Sequence, residues 1–139
     1  TLRGALMIDD HATGATQFYG THITFSPPLP ARLVDFELIT DTPSDDCPGA
    51  VEDPQAAPGH LCVYQQTSSS AAGPLRVLYD STTIGGPLGR HGALLEVLSQ
   101  SAGDIFVQAT WAATPTAPGT QPAPAATQPP GTDAADGRG

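Results

Sequence analysis

The chain's two cysteines are the residues whose chemistry is simplest to predict. Cys47 and Cys62 end the stretch CPGAVEDPQAAPGHLC, and the fourteen residues between them are mainly Pro, Gly, Ala and acids. A disulfide that closes a loop of about fifteen residues stabilises a fold by roughly 3 kcal/mol. Two alternatives are a metal site, although the CxxC pattern is missing, and two separate reduced thiols. We predict a Cys47–Cys62 disulfide and therefore an oxidising compartment.

Carboxylates are concentrated in the same stretch of the chain. Asp45 and Asp46 precede Cys47, and Glu52 and Asp53 follow it. Because Ca²⁺ takes six to eight oxygen ligands from flexible loops, these four acids form a hypothetical calcium site. Their spacing matches no EF-hand, and the alternative is a solvated acidic loop that aids solubility. The alternative is favoured, and no other metal or cofactor is expected.

The histidines give no catalytic pattern. His11, His22, His60 and His91 are scattered along the chain, none of them in an HExxH motif, and no GxSxG sequence is present. We therefore predict no catalytic residue and a protein that is not an enzyme.

Aromatic residues predict a contact between subunits. Phe106 and Trp111 fall on opposite faces of the last predicted strand, and the neighbours Phe18 and Tyr19 must also point apart. One face of each pair should enter the core, and the other needs a partner if nothing in the chain covers it. Phe106 and Trp111 are accordingly predicted interface residues of a homo-oligomer. Covering loops within one chain are the alternative.

Alternation of apolar and polar residues predicts the elements that carry these side chains. It is clearest in RLVDFELIT (32–40) and GDIFVQATWAA (103–113), where every second residue is apolar. Further candidates are 3–8, 17–25, 60–66, 75–79 and 93–99. Seven or eight short strands joined by Gly and Pro predict an all-β domain, a single antiparallel β-sandwich or jelly roll. We expect the first and last strands to lie side by side.

The composition changes after Ala113. Residues 114–139 contain many Pro, Thr and Ala and no Val, Ile, Leu or aromatic residue. Such a segment cannot bury enough apolar surface to offset its conformational entropy. We predict a β-sandwich domain over 1–113 and an extended or disordered tail over 114–139.

Charge restricts the partners. Fourteen acids, five arginines and no lysine give the 139 residues a net charge of −9. Nucleic acid and anionic membranes are therefore not expected partners. No apolar run is long enough to span a bilayer, so we expect no membrane insertion, and no signal peptide is visible.

The order of several segments resembles a known group of domains. RGALMI, THITFSPPLP, CPGAVEDPQAAPGHLCVYQ and GDIFVQATWAAT occur in this order between Arg3 and Thr114. They resemble the globular C-terminal domains of actinobacterial secreted proteins, which often follow collagen-like Gly-X-Y repeats. The CPG…DPQAAPGHLCVY stretch is the most specific part. The 139 residues contain no Gly-X-Y repeat, in contrast to that arrangement.

The resemblance implies an all-β domain at a cell or virion surface that trimerises or binds rather than catalyses. We therefore expect a non-enzymatic structural or adhesive head or decoration domain. It would be a homo-oligomer, such as a trimer, with a cell-surface, glycan or capsid partner. The alternative is a calcium-dependent, lectin-like binding module.

Overall fold

The computed structural model describes residues 1–77 and 89–116, and this part of the chain contains seven strands and no helix. The strands are β1 (Leu2–Ala12), β2 (Phe18–Thr24), β3 (Asp35–Ile39), β4 (His60–Ser68), β5 (Arg76–Val77), β6 (Gly92–Leu98) and β7 (Gly103–Thr114). The protein is thus all-β over the described residues. No helix of this part is long and apolar enough to cross a membrane.

The strands form two sheets. The four-stranded sheet has the order β1-β7-β4-β3, and the three-stranded sheet has the order β2-β6-β5. The first and last strands pair along their full length, from Leu2 opposite Ala113 to Ala12 opposite Gly103. This pairing confirms that both ends of the described β-structure lie together.

The prediction of a purely antiparallel arrangement is wrong at one pair. β3 runs parallel to β4, with Asp35 opposite His60 and Ile39 opposite Tyr64. A parallel pair needs a long connection that brings the chain back to the starting end of the sheet. Residues 40–59 are that connection, and their length is compatible with a parallel pair.

One hydrophobic core draws residues from both sheets. Ile105 and Val107 of β7 and Leu95 and Val97 of β6 are fully buried in the same cluster. Their alternation with partly exposed neighbours reflects the two-residue period of a strand with one covered face. The core therefore follows the sequence pattern.

The predicted first residues of β3 differ from the structure. Val34 was expected on the buried face but is 68% exposed, and β3 begins only at Asp35. Phe36 and Leu38, which share the predicted face, pack against the core while remaining partly exposed. β3 is an edge strand of the four-stranded sheet, so no strand lies beside it at that edge.

The predicted boundary at Ala113 falls next to the end of the last strand. β7 continues through Thr114. Residues 117–139, most of the predicted tail, lie outside the described residues, as do residues 78–88, which include the end of the predicted strand 75–79.

Candidate functional site

The connection between β3 and β4, residues 40–59, lies on the outer face of the four-stranded sheet, and we call it the cover loop. Along β4, Leu61 and Val63 belong to the main core, whereas Cys62 and Tyr64 belong to a second, smaller cluster. The strand period therefore directs Cys62 and Tyr64 away from the main core. The cover loop packs on these two side chains.

A disulfide joins the cover loop to the centre of the sheet. Cys47 and Cys62 are bonded, with their Cα atoms 5.5 Å apart, and both are completely buried. Together with Tyr64 they form the small cluster, against which Ile39 and Val51 pack. The bond thus lies inside an apolar layer between loop and sheet.

Tyr64 fixes two further points of the loop backbone. Its hydroxyl donates a hydrogen bond to the carbonyl oxygen of Gln55 at 2.5 Å and accepts one from the amide of Gly49 at 2.9 Å. The side chain is 1% exposed. A buried hydroxyl with a donor and an acceptor partner has its main hydrogen-bonding capacity satisfied.

The remaining strands of the sheet also hold the cover loop. Thr110 of β7 donates its hydroxyl to the carbonyl oxygen of Val51 at 2.7 Å. Arg3 of β1 donates its Nε to the carbonyl oxygen of Pro54 at 2.7 Å, and Glu37 of β3 accepts a hydrogen bond from Ser44. All four strands therefore contribute at least one contact that positions the loop.

Gly49 occupies a position where only glycine fits without rearrangement. A Cβ atom there would lie 2.3 Å from the carbonyl oxygen of Asp53 and 2.6 Å from the amide nitrogen of Gln55. The close approach accompanies a tight turn in which Ala50 and Asp53 exchange backbone hydrogen bonds of 3.0 and 3.1 Å. This turn positions Glu52 and Asp53.

The acids of the predicted calcium site have different surroundings. Asp46 lies 3.4 Å from Nε2 of His60, whereas Asp53 accepts a hydrogen bond from the Gln55 side chain at 2.7 Å. Asp45 and Glu52 are exposed. Within residues 1–77 and 89–116, no three His, Cys, Asp or Glu side chains form a group that could hold a metal ion. Calcium binding stays a prediction.

A hollow of about 200 Å³ opens where the cover loop meets the edge of the sheet. Ile39, Val51 and Tyr64 form its apolar wall, and Asp41 and Glu52 also line it. Both carboxylates are exposed, and neither forms a hydrogen bond or ion pair with another described residue. Apolar surface beside two unpaired carboxylates can accept a group with a hydrocarbon stem and a positive end.

The two predicted interface residues occupy different environments. Trp111 is 7% exposed in the core and packs against Phe25, with ring centroids 5.7 Å apart. Phe106 is half-buried on the outer face of β7, opposite Asp9 of β1. Of the sequence neighbours Phe18 and Tyr19, Phe18 is 65% exposed, whereas Tyr19 packs against the core. The structure therefore places Phe106 and Phe18 at the surface and Trp111 inside.

Sequence reasoning identified the two cysteines and the acids but missed the residues that shape the loop. The position of Tyr64, two residues after Cys62 in a strand, indicates that both side chains share a face. That signal is present in the sequence. The contact of Thr110 with Val51 could not be predicted, because it joins positions 59 residues apart in sequence.

Comparison with known proteins identifies no matching family model, no similar curated protein and no similar solved structure. A functional assignment therefore depends on the geometry of the described residues.

Proposed function

We propose that the chain is a non-enzymatic, exported head domain, a structural or adhesive β-sandwich that acts at a cell or virion surface as an oligomer. Its cover loop binds a basic partner. The head-domain role is what the resemblance to secreted actinobacterial domains implies. The cover loop as the binding surface, and a basic partner for it, go beyond that resemblance.

The main support for this proposal is that the rest of the fold holds the backbone of the cover loop in place. An irregular connection normally retains conformational freedom, and a partner that binds it must offset the entropy of ordering it. Here a buried disulfide and contacts from four strands already hold the backbone. The exposed acids on this loop are therefore preorganised for recognition.

The sign of the charge indicates the partner. Asp41, Asp45, Asp46, Glu52 and Asp53 are all exposed on the cover loop, and the whole chain carries a net charge of −9. Complementary charge steers association and favours partners with lysine or arginine side chains. The hollow beside Asp41 and Glu52 provides the apolar contact that the stem of such a side chain needs.

A titration with an eight-residue lysine peptide tests the proposal. Calorimetry should detect binding at low salt, and the double variant Asp41→Asn with Glu52→Gln should weaken it roughly fivefold, since exposed ion pairs contribute about 0.2–1 kcal/mol each. The matched control is Asp9→Asn with Asp10→Asn, which removes the same charge from β1.

Two outcomes would count against the loop as the binding surface. One is the absence of any binding of the lysine peptide at low ionic strength. The other is an equal loss of affinity in the loop variant and in the β1 control, because net charge alone would then explain the interaction.

A further inference from the structure

The second sheet presents an outer face that differs in character from the rest of the surface. We call it the β2–β6 face. It consists of Phe18, Gly20, His22 and Thr24 of β2, Gly92, Leu94, Glu96 and Leu98 of β6, and Arg76 of β5. The alternate residues Ile23, Val77, Leu95 and Val97 are buried. The two-residue period therefore directs the face residues outward.

Phe18 and Leu98 give one end of this face an apolar surface, and Leu94 lies four residues away along β6. Phe18 lies directly opposite Leu98 in the antiparallel pair, and Leu94 lies opposite His22. Phe18 is 65% exposed, and both leucines are partly exposed. Gly20 carries no side chain between Phe18 and His22. The exposed ring of Phe18 beside Leu98 can pack against the same residues of a second copy.

Charge is segregated away from this face. Among the described residues, every carboxylate side chain except Glu96 belongs to the four-stranded sheet or to the cover loop. Glu96 is itself neutralised by Arg76, whose Nη2 lies 2.6 Å from its Oε2. The β2–β6 face is therefore locally neutral on a chain with a net charge of −9.

This segregation decides which surface a second copy can approach. Two chains that both carry a charge of −9 repel each other where their acids meet. Sheets packed face to face lie about 10 Å apart, and the Debye length at physiological ionic strength is about 8 Å. Among the described residues, the paired Glu96 is the one carboxylate on the β2–β6 face, so burial of apolar surface there is opposed only weakly.

We propose that the β2–β6 face is the self-association surface, through which two copies of the chain pair face to face. The inference rests on the proposed oligomeric function and names the surface and the partner. In the pair, Phe18 of each copy packs beside Gly20 and Leu98 of the other. Both cover loops point away from the contact, so each remains free to bind.

Light scattering of the full chain after size exclusion, over about 5–200 µM, tests the inference. The native chain should have the mass of two copies, because an isologous contact closes with a pair. Phe18→Ser should raise the dissociation constant at least about tenfold, since exposed aromatic anchors dominate such contacts. Leu94→Thr should act in the same direction and serves as a second variant if Phe18→Ser fails to fold.

Met7→Ser is the matched control, because Met7 is 52% exposed on β1 and lies on the outer face of the other sheet. It should leave the mass at two copies. A mass of three copies, or a pair that resists Phe18→Ser and Leu94→Thr, would overturn the face-to-face contact while leaving an oligomeric head domain. A monomer at every concentration would overturn both the contact and the oligomer.

Salt dependence provides a second readout. If the contact lies at the neutral face, its dissociation constant should differ little between about 50 and about 500 mM NaCl. The Debye length is about 14 Å at the lower concentration and about 4 Å at the higher one. Association that appears only at high salt would instead place the contact on the acidic sheet and overturn the inference.

Discussion

At the scale of single residues, Gly49 and Tyr64 determine how the cover loop lies on the sheet. Gly49 allows the backbone of the turn at Ala50 and Asp53 to approach Gln55, and Tyr64 fixes the loop by hydrogen bonds to Gly49 and Gln55. Neither residue could be assigned this role from the cysteine spacing alone. Substitution of either residue should therefore have a specific effect.

Gly49→Ala should destabilise the protein by about 1–3 kcal/mol, because a Cβ atom at 2.3 Å from the carbonyl oxygen of Asp53 forces the backbone to shift. Urea unfolding followed by circular dichroism measures the change. Gly14→Ala is the matched control, since no heavy atom lies within 4 Å of a Cβ built there. Equal effects at the two positions would show that the turn at Gly49 is not tightly packed.

Tyr64→Phe should cost about 1–3 kcal/mol, because the carbonyl oxygen of Gln55 and the amide of Gly49 lose their buried partner. Hydrogen exchange at the Gly49 amide should accelerate. Tyr19→Phe removes a hydroxyl that bonds Gln17 and His11, and should leave the Gly49 amide unchanged. Unaltered exchange at Gly49 in Tyr64→Phe would contradict the described hydrogen bond.

At the scale of elements, the sequence predicts the strands better than their pairing. Ile105, Val107 and Ala109 alternate with polar or half-exposed neighbours, so the position and the buried face of β7 follow from the two-residue period. The parallel pairing of β3 with β4 does not follow, because it depends on the path of the cover loop between them. The side-chain period carries no information on strand direction.

The same limit applies to the candidate site. The sequence indicates that Cys47 and Cys62 enclose an acidic segment, but the hollow forms only where Ile39, Val51 and Tyr64 meet. These residues belong to β3, the cover loop and β4. Their proximity is a property of the tertiary structure. The exposure of Val34, which lies one residue before β3, likewise does not follow from the alternation.

Removal of the disulfide should loosen the cover loop without dissolving the sheets. In the double variant Cys47→Ala with Cys62→Ala, we expect a loss of about 3 kcal/mol in unfolding free energy, as for a loop of about fifteen residues. Far-ultraviolet circular dichroism should retain the β-sheet spectrum, because the main core does not contain either cysteine. Complete unfolding of this variant in buffer would show that the loop is required for the sheets themselves.

At the scale of the whole molecule, the uneven distribution of charge is the dominant property. The four-stranded sheet and the cover loop contain every described carboxylate except Glu96, and Arg3 is the only arginine in those elements. Repulsion among like charges on one side destabilises the folded state at low ionic strength. One side of the molecule suits a basic partner, and the other, with the β2–β6 face, suits a neutral contact.

Moderate salt should therefore stabilise the protein. Calorimetric melting in 10 and 200 mM NaCl, concentrations at which the Debye length is about 30 and 7 Å, should give a higher Tm at the higher concentration. Asp9→Asn with Asp10→Asn should reduce the difference. A calcium site predicts a separate increase in Tm with CaCl₂ at matched ionic strength. A lower Tm at 200 mM NaCl would contradict the proposed repulsion.

The Cys47–Cys62 crosslink holds the acidic cover loop against the sheet. Mass spectrometry of unreduced proteolytic fragments from folded, monodisperse protein measures it. We predict one linked species that joins the fragment containing Cys47 to the fragment containing Cys62. Free thiols at both positions in protein with the full β-sheet spectrum would contradict the fixed loop, the exported location and the recognition surface built on them.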